Sequence, residues 1–138
     1  MATYVGCARS NYVRVVDPEA FRNEVRRCGC TVVERHDPDR DVTLLAVLSD
    51  ADNGWDFRPW DDEIEDEVEI DPIVDWGRHL ADGEVMVLQE AGWEGRRYVA
   101  GHAAAFNNRG ESVTVNLDNI YRLAADLGLG EHITEALY

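Results

Sequence analysis

The sequence predicts an α+β fold, a single domain over residues 1–138 with a mainly antiparallel sheet and about three helices. Three observations predict it. Short segments with period-two apolar alternation recur along the chain. Two Asp-Pro pairs, Asp17-Pro18 and Asp71-Pro72, each precede apolar residues at helical spacing. The second half is a run of strands joined by tight turns, a meander rather than strands alternating with crossover helices. The expected order is β-α-β-β-loop-α-β-β-β-α.

The first strand is expected at NYVRVVD, residues 11–17, whose side chains alternate across a pleat. Asp17 caps the first helix and Pro18 occupies its first position. Phe21, Val25 and Cys28 share one stripe of that helix, and Gly29 can end it. CTVVER and VTLLAVLS read as strands about the turn HDPDRD, the second apolar enough to be central. DADNGWDFRP is a loop by its Asp, Asn, Gly and Pro content.

After that loop, Val68 and Ile70 alternate with Glu67, Glu69 and Asp71, the pattern of a short edge strand. A second helix follows Pro72, with Ile73, Trp76 and Leu80 on one face and Asp82-Gly83 at its end. The meander consists of EVMVLQEA, the turn GWEG, the long strand RRYVAGHAAAFN, the turn NRGE and SVTVNL. Asp118 caps a last helix whose Ile120, Leu123, Ala124 and Leu127 are expected to face inward, and EHITEALY is read as a short terminal helix.

The charge is unevenly placed. The chain holds 28 acids and 13 basic residues, all arginine, for a net charge of −15. Residues 34–75 contain 16 acids and three arginines, a balance of −13, which leaves only −2 for the remainder. A GC-rich genome, whether of a mesophile or its phage, favours arginine over lysine. A cytoplasm of molar salt, the reading preferred here, favours acidic, lysine-free surfaces, because the Debye length there is only about 3 Å. Adaptation to salt alone should spread carboxylates around the surface, so their concentration in the middle third needs a further reason.

The segment 50–71 is therefore the leading functional candidate. Asp61, Asp62, Glu63, Glu65, Asp66, Glu67 and Glu69 form an anionic run beside Trp55, Phe57 and Trp60, and tryptophan is a frequent interface anchor. That combination predicts a non-enzymatic interaction or regulatory protein with a protein partner, in its sharpest form an inhibitor that imitates a nucleic acid. The competing account of the run is a solvated charged flap guarding a sheet edge. Direct nucleic-acid binding is disfavoured because Arg26-Arg27 and Arg96-Arg97 are the only cationic doublets.

Two other functions are open. A small-molecule or catalytic pocket would use His102 with Tyr98, which shares its strand face, and Arg97 or Arg96. A metal-binding domain would use Cys28, Cys30 and His36, although one C-x-C pair falls short of the paired knuckles of structural zinc sites. The 50–61 loop fails as a calcium loop, since Trp55 stands where the sharp turn requires glycine. No nucleophile elbow or phosphate loop is present, and no cofactor is implied. Three cysteines without an export signal imply reduced thiols. With no apolar run near the roughly 18–20 residues of a bilayer span, the expected setting is the cytoplasm.

Overall fold

The structure, a computed structural model, describes residues 3–95 and 97–136. Strand β1 (Tyr4–Ser10) is followed by helix α1 (Pro18–Arg26), then β2 (Cys30–Asp37) and β3 (Val42–Ser49). A small hairpin comprises β4 (Trp60–Asp61) and β5 (Asp66–Glu67). Helix α2 (Pro72–Asp75) and a 3-10 turn at Gly77–His79 precede the meander β6 (Met86–Glu94), β7 (Tyr98–Phe106) and β8 (Ser112–Asn116). Helix α3 (Asn119–Asp126) comes last. Six strands make one antiparallel sheet in the order β2-β3-β1-β6-β7-β8, and β4 pairs with β5 alone. This is the α+β fold that the sequence predicts.

The two Asp-Pro signals work as expected. Asp17 accepts from the backbone N–H groups of Glu19 and Ala20 at 3.1 and 3.2 Å, and Asp71 accepts from Ile73 N–H at 3.1 Å. α1 buries Phe21 and Val25 against one face of the sheet, where Leu45, Val47, Met86, Leu88 and Phe106 complete a core centred on Trp76. Trp76, Phe21, Leu45 and Met86 are almost fully buried. The four-residue α2 and the 3-10 turn carry Trp76 and Leu80 into this core, where a single helix to Asp82 was expected.

Other expectations need correction. The first strand is YVGCARS, paired with β6 from Tyr4↔Glu94 to Ser10↔Leu88. NYVRVVD makes only single bridges, Val13↔Leu45 and Val15↔Leu80, although Val13 and Val15 are buried as their alternation implies. The break lies at Ser10 and Asn11. Ser10 Oγ accepts from Val47 N–H at 2.8 Å, replacing a backbone acceptor, and Asn11 clamps Val85 and Val87 with its side-chain amide.

The polar chemistry of two side chains thus bends the chain out of the ladder. Val68 and Ile70 lie just past β5, with Ile70 N–H donating to Phe57 O at 2.7 Å, so that strand is shorter than expected. Residues 131–136 of the expected terminal helix are not helical, and 137–138 lie outside the described residues. α3 forms, but Ile120, Leu123 and Leu127 are 59, 53 and 75% exposed, so its apolar stripe does not face inward. No described helix is long and apolar enough to cross a membrane.

Candidate functional site

Folding divides the acidic middle third into parts with different surroundings. β2 and β3 pair over eight residues, which separates the acids of the 37–41 turn from Asp50 by about 25 Å. The turn is compensated in part by nearby cations. Arg40 reaches Asp37 and Glu84 at 3.0 Å each, His36 lies 3.3 Å from Asp41, and Arg22 pairs with Glu34. The Arg40 guanidinium, helped by the Asp39 N–H, holds the Asp37 carboxyl below the usual carboxylate range.

The β4–β5 hairpin has no such compensation. Seven carboxylates, Asp61, Asp62, Glu63, Glu65, Asp66, Glu67 and Glu69, stand on a nine-residue stretch without a cation. Among the described residues none of them forms an ion pair. The register sets Asp61 opposite Asp66, and like charges facing each other across a ladder oppose its formation. Glu65 sits at φ 53, a left-handed conformation unusual for a side chain of that length.

What holds the hairpin is local and apolar. Val68 N–H donates to Pro59 O at 2.9 Å, Ile70 is buried, and Asp61 Oδ1 accepts from Glu63 N–H at 2.9 Å. Trp60 is 62% exposed and Ile64 60%, with the Trp60 indole N–H held by Asp62 at 3.1 Å. The hairpin therefore presents an apolar pair inside an anionic field.

Trp55 and Phe57 do not share that surface. Their rings stack at 5.8 Å and both meet the Trp76 ring edgewise, at 5.7 and 5.5 Å. These two aromatics fasten the loop to the core, because two adjacent rings bury more apolar area there than in water. Of the three aromatics expected at the interface, only Trp60 is available to a partner.

His102 lies beside a second candidate. It stands opposite Glu90 in the β6–β7 register, with its Nε2 3.7 Å from a Glu90 carboxylate oxygen. Glu90 also accepts from Trp55 N–H at 2.6 Å and Tyr4 O–H at 3.2 Å. Burial and this carboxylate raise the Tyr4 phenol above its ordinary value. A cleft of about 930 Å³ lies between the first half of β7 and the C-terminal segment, lined by Tyr98, His102, Asn116, Tyr121 and Arg122 among others.

Tyr98 is held above its ordinary range by desolvation and by its bond to Glu94. Arg97 is exposed at the β6–β7 turn and does not line the cleft; Arg96 lies outside the described residues. Glu90 and Tyr4 were missed by sequence reasoning. The available signal was phase, because Glu90 alternates with Met86 and Leu88, both buried.

The sulfur ligands are not assembled with their histidine. Cys28 and Cys30 are buried, and burial pushes their thiols up to about 11 and about 12. His36 is exposed, six residues further along an extended strand, about 20 Å from Cys30. Among the described residues no three His, Cys, Asp or Glu side chains gather as a metal site would need. Comparison with protein-family models, curated proteins and solved structures finds no match to this chain.

Proposed function

We propose that this chain is a small cytoplasmic interaction or regulatory protein that docks a cationic surface of a protein partner through the β4–β5 hairpin. The observation that supports this most is the hairpin's uncompensated charge. Several acids elsewhere in the chain have an arginine within 4 Å, whereas none of the seven between Asp61 and Glu69 does among the described residues. Opposed carboxylates and a left-handed glutamate weaken a hairpin, so their presence favours a recognition role over a stabilising one. Trp60 and Ile64 supply the apolar anchors that charge alone lacks.

In its sharper form the hairpin competes with a nucleic acid for a cationic groove, its carboxylates standing in for phosphates. The lysine-free, acid-rich composition of the chain as a whole suits a cytoplasm of molar salt. The test is capture of partners from native lysate at working salt. The chain is compared with a variant carrying Asp61→Asn, Asp62→Asn, Glu65→Gln, Asp66→Asn and Glu69→Gln. The wild type retains partners that the variant loses; identical partner sets remove the proposal.

A second reading has its own observation in its favour, the cleft beside His102 with Glu90 behind it. Ligand binding there predicts the opposite separation, with the hairpin variant fully functional and His102→Ala defective.

A further inference from the structure

We infer that the chain associates with a second copy of itself through β8, the open face of the sheet beside it and α3. The sheet has two edges, and they are treated differently. The outer edge at β2 carries Glu34, Arg35, His36 and Asp37, the charged residues by which natural sheets discourage edge pairing. The outer edge at β8 reads Ser-Val-Thr-Val-Asn, with no charge and all five residues exposed. An unguarded edge is unusual in a chain with 30% charged residues.

The sheet face adjoining β8 is also open. The registers Trp93↔Val99, Ala103↔Val115 and Ala105↔Val113 place Trp93, Val99, Val113 and Val115 on the side away from the core, each more than half exposed. Between them a concavity of about 450 Å³ is lined by Ala91, Gly101 and Ala103, with Arg9, Gln89 and Glu90 also on its lining. Beyond the end of β8, Leu117, Ile120, Leu123 and Leu127 add further apolar side chains, each at least half exposed. At roughly 100 Å² of exposed surface each, these eight side chains offer roughly 800 Å², about what each partner contributes to a standard interface.

Charge selects the occupant. Two chains of −15 repel unless they meet where neither carries acid. The outward positions of β6, β7 and β8 hold no Asp or Glu, because Glu90 and Glu94 alternate to the other side, and α3 offsets its Asp126 with Arg122, leaving Asp118 at its start as the one unbalanced acid. One chain supplies both the amphipathic helix and the apolar concavity, so a twofold arrangement satisfies both at once. The β4–β5 hairpin lies on the opposite, helix-covered side and stays free in such a dimer.

The experiment is sedimentation equilibrium of the full chain in the salt in which it is folded, at micromolar concentration. Val115→Glu and Leu123→Glu are run beside the wild type, with circular dichroism to confirm folding. The wild type sediments at twice the chain mass, and each variant weakens association at least a hundredfold. If a glutamate unfolds the chain, Val113→Thr and Leu127→Gln, at sites 64 and 75% exposed, make the same test with a smaller loss. A folded wild-type monomer overturns the inference and assigns the surface to a foreign protein or lipid, and a dimer that the variants leave intact overturns it as well.

Discussion

Gly54 and Glu90 show how single residues position the acidic segment. Gly54 has φ 92, where only glycine is unstrained, and a Cβ there would be driven into the Glu90 carboxylate. That carboxylate holds the next residue by its backbone N–H, which ties the loop to β6. Gly54→Ala therefore both strains the backbone and displaces Glu90. The expected loss is about 1–3 kcal/mol by urea denaturation, and a change within 0.5 kcal/mol would contradict this role. At this scale the sequence was only partly readable. Composition marked three aromatics beside the acids, but whether a ring turns outward depends on what lies beneath it. Trp76 lies beneath Trp55 and Phe57, and Trp60 extends past it.

Elements were more legible where their signals are local. The Asp-Pro starts, the β2–β3 hairpin and the meander all follow from residues adjacent in sequence. Replacing Asp17 with alanine leaves two N–H groups of α1 without their acceptor, so a loss of about 1 kcal/mol is expected in thermal or chemical unfolding. An unchanged midpoint would mean that water replaces the cap. The first strand was misplaced because Gly6, Cys7 and Ala8 give YVGCARS a weak apolar pattern, while NYVRVVD has a strong one but loses its ladder at Ser10 and Asn11. The α3 periodicity was read correctly and its direction was not. An amphipathic stripe requires an apolar partner, and nothing in its spacing says that the partner belongs to the same chain.

Across the whole molecule, the sum of charge was visible in the sequence but its surface was not. A negative third of the chain becomes a partly compensated turn at one end of the β2–β3 hairpin and, elsewhere, a hairpin whose acids form no ion pair among the described residues. The densest acidic run without an ion pair among the described residues, Asp61 to Glu69, is narrower than residues 34–75 and lies on the opposite side from the outward-facing residues of β8.

The most direct measurement is carbodiimide labelling of carboxylates, read by mass spectrometry with the chain alone and in its captured complex. Protection of Asp61 through Glu69, with the exposed Glu111 and Asp126 labelled equally in both states, is the predicted result. Equal labelling of the hairpin in both states would contradict the account.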